Sequence, residues 1–213
     1  MNRRAFLAAG VGAAGLTAGC LGLIVPDEIS EQAQPGGLEV SALDETGFSH
    51  ERTEMIRLEE TVSVRGADVA FRVDNWLATF LRRPGPTTPP AQFAVLSTPD
   101  VSVLGQQANP IARVDRRVLL EEVADEIGLV GNELTAAGET TATVGPEETE
   151  TTLSIYETAA ELEGQSYDAR VTIGKATHDG DWLVIGTSYP AATDDERLAR
   201  SLAAGVAHPV DPP

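Results

Sequence analysis

The feature that most narrows what this chain can fold into is a succession of segments in which apolar and polar residues alternate, joined by very short links. Alternation of period two puts every second side chain on one face of a strand, and short links join antiparallel neighbours. Glu54 to Arg65 carries Ile56, Leu58, Val62 and Val64 on one parity, and Asp68 to Asp74 carries Val69, Phe71 and Val73. Arg65-Gly66-Ala67-Asp68 reads as a tight turn between them, so the pair forms a long hairpin. Trp76 to Phe80 changes parity relative to Phe71 and Val73, which predicts a bulge around Asp74 and Asn75. Short strands follow at Phe93 to Ser97 and Val101 to Leu104, after a rigid Pro84–Pro90 loop.

Asn109-Pro110 breaks the extended run, and from Asp115 to Ile127 the period changes. Leu119, Leu120, Val123 and Ile127 fall at helical spacing, Asp115 can cap the first turn, and Gly128 can end the last. Strands resume at Leu134 to Val144, Thr151 to Leu162, Tyr167 to Thr177 and Trp182 to Tyr189. Their links contain Gly145-Pro146, Glu163-Gly164-Gln165 and Asp179-Gly180-Asp181. Thr193-Asp194-Asp195-Glu196 reads as a capping box opening a final helix, with Leu198, Leu202 and Val206 as its buried stripe. The expected fold is α+β, an antiparallel sheet of hairpins with about two helices packed on one face.

Charge names the solvent this surface suits. The chain carries 15 basic and 33 acidic residues, a formal net charge of −18, and Lys175 is its one lysine. Such a charge repels itself in dilute buffer and is screened once the Debye length falls to about 3 Å at 1 M salt. Nucleic acid is excluded as a partner, because binding it requires neutralising closely spaced phosphates with lysine and arginine.

The N-terminus reads as an address. Arg3 and Arg4 precede an apolar run from Ala5 to Ala18, and small residues lead to Cys20, the one cysteine. A helix of about 14 residues spans only about 21 Å, short of a hydrocarbon core of about 30 Å. Asn2-Arg3-Arg4-Ala5-Phe6-Leu7 resembles the twin-arginine export motif, which implies transport of an already folded protein. Thr17-Ala18-Gly19-Cys20 resembles a lipobox, which implies cleavage between Gly19 and Cys20 and lipidation of the Cys20 thiol. Residues 1–19 are then the signal peptide, 20–37 a lipidated start and flexible tether, and 38–213 one α+β domain. The expected place is the extracytoplasmic face of the cell membrane, held by the lipid on Cys20.

Together, the leader and the acidic charge resemble those of haloarchaeal lipoproteins. Asp74-Asn75-Trp76-Leu77-Ala78 and the runs from Val95 to Pro99 and from Val101 to Gln106, ending in Asn109-Pro110, are similar to an uncharacterised haloarchaeal lipoprotein family. That resemblance implies no catalytic residue. Element order alone is similar to small photosystem-associated and related bacterial lipoproteins, an analogy of fold only.

Little in the chain points to chemistry. His50, His178 and His208 stand far apart with no ligand spacing, and Cys20 belongs to the anchor, so no metal or cofactor is expected. Asp179-Gly180-Asp181 reads as a hairpin turn rather than part of a calcium loop. Ser97, Ser154 and Ser188 lack the setting of a nucleophile, and Glu147, Glu148 and Glu150 read as a solvated run at a turn. Trp76, beside the expected bulge, is the binding candidate; the competing reading packs it under the helix of residues 115 to 127. The expected function is a non-catalytic module that binds a protein or small molecule at the membrane. The alternative is an envelope-associated hydrolase whose site is assembled from distant carboxylates.

Overall fold

The computed structural model describes residues 28–64, 67–85, 88–103, 106–107, 109–123, 134–145, 147–162, 164–193 and 196–211. The leader, Cys20 and the helix residues beyond Val123 lie outside them.

The long hairpin forms as the alternation requires. β3 (Ser49–Val64) and β4 (Ala67–Arg82) pair antiparallel from Val64↔Ala67 to Ser49↔Leu81. β5 (Ala91–Pro99) returns along the other side of β4 after the proline loop. The last four long strands make a meander: β8 (Thr135–Val144), β9 (Thr149–Leu162), β10 (Gln165–His178) and β11 (Asp181–Pro190). β11 pairs with β5, which joins the two halves into one sheet. The short strands are β1 (Glu28–Gln32), β2 (Gly37–Leu38), β6 (Ser102–Val103), β7 (Gln106–Gln107) and β12 (Val206–Ala207). The helices are α1 (Val40–Thr46), α2 (Arg116–Val123) and α3 (Glu196–Ala204). The α+β class therefore holds.

The central strands are buried on both faces. Phe93, Val95, Leu183 and Ile185 pack with Ala42 of α1 and with Leu198, Leu202 and Val206. The alternate residues of the same strands, Ala94 and Val184, point the other way and pack with Leu77, Val171, Ile173 and the α2 residues Leu119 and Leu120. Two helices, α1 and α3, thus share one face. The helix expected near residue 115 covers the opposite face instead, because the β5 and β11 runs are apolar on both parities and need cover on both sides. Asp115 caps α2 as read, its carboxylate accepting the Arg117 N–H at 2.8 Å. Gly205 brings α3 against α1: a Cβ there would collide with Ala42. Thr193 ends a 3₁₀ turn, its hydroxyl donating to the Pro190 carbonyl at 2.6 Å, and Asp194 and Asp195 lie outside the described residues.

Two expectations are corrected. The tether does not run to residue 37: Glu28–Gln32 form β1, paired parallel with β4 from Ala70 to Asp74, in line with β5 on the same side of β4. Ile29 of β1 packs with Phe71, Val73 and Val101, so the strand covers apolar surface that β5 does not reach. Nor is there a bulge at Asp74 and Asn75; register runs unbroken through Arg57↔Asp74, Ile56↔Asn75 and Met55↔Trp76, and the irregularity lies between His50 and Arg52. Parity changes because burial changes face. Phe71 and Val73 are buried on the face shared with Ile29, whereas Ala78 and Phe80 are buried on the face of α1 and α3.

Candidate functional site

Asp179 and Gly180 form the two-residue turn between β10 and β11, with φ of 47° and 82°. Both central residues in the left-handed region give the turn whose twist matches a hairpin, and Asn, Asp and Gly tolerate it best. The turn holds His178 and Asp181 opposite one another as the last pair of the ladder.

Two chain ends converge on this turn. On one side, residues 33–38 leave β1, cross the sheet and enter β2; on the other, β12 pairs with β2 and carries the chain to His208. His208 is buried, with Nε2 3.1 Å from Asp181 Oδ2 and 3.2 Å from the Gln34 carbonyl. The Gln34 N–H donates to the same Asp181 oxygen at 2.7 Å. Nδ1 of His208 meets Nδ1 of His178 at 3.1 Å, the rings nearly perpendicular at 86°. Outside this buried core, His178 faces Asp179 at 3.8 Å and Glu147 at 4.0 Å. Val210 N–H donates to the Pro35 carbonyl at 2.9 Å, completing the tie between the ends.

Beside this node lies an open, polar cleft of about 740 Å³, bounded by β1, the residues after β5 and the β10–β11 turn. Glu28, Glu31, Asp100, Asp179 and Asp181 line it, together with Gln34. Acidic residues scattered in sequence are thus gathered at one place. Asp100 accepts the Trp182 indole N–H at 3.1 Å, and Asp181 holds Gln34 and His208. Among the described residues, no group of three or more His, Cys, Asp and Glu side chains is arranged to hold a metal ion.

On the opposite face, Lys175 fastens the approach to α2. Its Nζ donates to the carbonyls of Ile111 at 2.8 Å, Ala112 at 3.2 Å and Val114 at 2.9 Å, and sits 5.7 Å from the centroid of the Trp182 ring. Burial pushes its ammonium below the usual lysine range, nearby Arg116 pushes the same way, and Asp115 opposes. On the hairpin, Arg57 grips Asp74 with two N–H···O bonds of 2.6 and 2.7 Å. The hydrogen bonds lower the Asp74 carboxyl and raise the Arg57 guanidinium.

Trp76 does not line the cleft. It is half-buried between Met55 and Ser97 in the ladder, and its indole nitrogen is buried with no hydrogen-bond partner among the described residues. It alternates with Leu77, which packs with α2, so Trp76 lies on the face away from that helix. His50 is exposed, beside Thr53 and against the edge of Phe80. Ser97, Ser154 and Ser188 are buried in strand interiors, and Glu147, Glu148 and Glu150 are exposed around the β8–β9 turn. Arg3, Arg4, Gly19 and Cys20 lie outside the described residues. The direct pairing of His178 with His208, and of His208 with Asp181, has no local sequence signature; the one available hint was an Asp-Gly-Asp turn ending an apolar strand.

No curated protein matches the chain. A family model described as a domain of unknown function, DUF6517, matches residues 35–207, from the crossing segment through β12, and the chain belongs to that family.

Proposed function

We propose that the chain is an exported, lipid-anchored module of a high-salt cell that binds a cationic partner at its acidic cleft, close to the membrane surface. The observation that carries this reading is the position of the cleft. Its wall is β1, and β1 begins eight residues after Cys20. Eight extended residues reach at most about 28 Å, so a lipid on Cys20 would keep the cleft within that distance of the headgroups. An acidic lining attracts ammonium and guanidinium groups and repels phosphates and anionic lipids. The twin-arginine leader, the lipobox cysteine and the net charge of −18 support a haloarchaeal lipoprotein.

The carboxylates gathered at the cleft favour one second reading, a carboxylate-based hydrolase of envelope polymers. Asp181 is already committed to Gln34 and His208, which leaves binding as the better account. Fractionation of cells grown at high salt tests the address: wild type is expected in the membrane, Cys20→Ser in the medium, and Arg3→Lys,Arg4→Lys inside the cell. Membrane retention of the Cys20→Ser protein would overturn the anchor. Release of sugars or peptides from isolated envelopes by purified protein, abolished by Asp179→Asn, would favour the hydrolase.

A further inference from the structure

We propose that His178 and His208 form a pH-sensitive clasp that ties the crossing segment, residues 33–38, and the C-terminal residues 206–210 to the β10–β11 turn, and that opens when both rings are protonated.

The hydrogen positions follow from the partners. Nε2 of His208 faces two oxygens that can only accept in this setting, the carboxylate of Asp181 and the carbonyl of Gln34, so it carries a hydrogen. That leaves Nδ1 as the one nitrogen of His208 whose protonation can change. In the neutral pair it accepts from Nδ1–H of His178 across 3.1 Å, and the free lone pair of His178 is on Nε2, toward Glu147. A first proton on His178 Nε2 leaves this bond intact. The new cation then lies between Glu147 and Asp179.

A second proton has one place to go, Nδ1 of His208, and there it meets the N–H of His178 head-on. Two donors and two positive rings cannot keep a contact of 3.1 Å, so the rings separate. His208 gives up Asp181 and Gln34 as it moves, and the neighbouring Val210–Pro35 bond loses its support. The charged groups facing the pair are Asp179 in the same turn, Asp181 at the start of β11 and Glu147 in the β8–β9 turn. The crossing segment contributes only the neutral Gln34. Glu147 and Asp179 flank the cation on His178 and Asp181 stays on Nε2 of His208, and none of the three removes the conflict created by the second proton.

Amide hydrogen exchange on the full chain at constant high salt, from pH 7.5 to 4.5 and corrected for intrinsic rates, tests this. Protection at Gln34 and Val210 is expected to fall at least tenfold with the steepness of two protons, while the amides of Val171 and Ile173 in β10 keep theirs. His178→Asn retains an N–H donor toward His208 and cannot be protonated, so opening should then need one proton and show the shallower slope. His208→Phe should leave both sites unprotected already at pH 7.5. The clasp is overturned by equal pH profiles in wild type and His178→Asn, by pH-independent protection at Gln34 and Val210, or by loss only together with the β10 amides.

Discussion

Replacing Lys175 with methionine isolates one joint of this fold. Methionine keeps much of the aliphatic length of the side chain but removes the ammonium that donates to Ile111, Ala112 and Val114. Leaving buried acceptors unpaired costs about 1–3 kcal/mol for a group without access to water. Ile111 is buried, whereas Ala112 and Val114 are half-buried and can recover water, so one full penalty and two partial ones apply. The lost desolvation cost of the ammonium offsets part of this, which leaves about 2 kcal/mol. For a domain of this size, that corresponds to a fall in Tm of about 4–8 °C. Thermal unfolding at high salt, followed by tryptophan emission, reads it directly, since Trp182 lies beside the ammonium. Lys175→Arg is expected to lose stability as well, because a planar guanidinium cannot aim three N–H groups at carbonyls clustered around one point. A Tm for Lys175→Met within about 1 °C of wild type would refute the clamp, as such a shift is worth less than about 0.5 kcal/mol.

Three further outcomes follow from the packing. Gly205→Ala should destabilise by about 1–3 kcal/mol in urea unfolding, since the new methyl meets Ala42 where α3 closes on α1. Tyr167→Phe should cost about 1 kcal/mol near neutrality by leaving the Pro90 carbonyl without its hydroxyl donor at 3.0 Å. Burial raises the Tyr167 hydroxyl above its ordinary value of 10.0, so above pH 10 the folded chain holds a proton the unfolded chain has lost. Stability therefore falls as pH rises through that window, and the fall should be shallower in Tyr167→Phe; identical slopes would reject this cause. A chain beginning at residue 33 should be less stable to urea than one beginning at residue 28, by about 2 kcal/mol and with a lower midpoint, because Phe71 and Val73 lose the cover of Ile29. Equal midpoints would return residues 28–32 to the tether.

Where a segment's own pattern decided its structure, the sequence could be read. The β3–β4 hairpin, the meander from β8 to β11, and the positions of α2 and α3 follow from alternation, turn residues and caps acting over short distances. β1 was hidden because it is a parallel edge strand of Glu-Ile-Ser-Glu-Gln, with one apolar residue and no alternation beyond it. Helices on both faces were foreshadowed in Phe93-Ala94-Val95-Leu96 and Leu183-Val184-Ile185, whose unbroken apolar runs mark strands buried twice. The parity change at Trp76 had two physical causes available, a bulge or a change of buried face, and local sequence cannot separate them. The site was the least legible part. Gln34, Asp181 and His208 meet only because β2 and β12 bring the two ends of the chain to the same turn, and no spacing encodes that.

Site-directed photo-crosslinking tests the proposed role of the cleft most directly. A photoreactive residue at Ser30, in the cleft wall of the full chain expressed in cells at high salt, is predicted to capture one discrete partner with a basic contact segment. The adduct should disappear when Glu31→Gln and Asp179→Asn are added, and should not form from Ala137 on β8, at the far edge of the sheet. No adduct from Ser30, or equal adducts from Ser30 and Ala137, would contradict binding at the cleft.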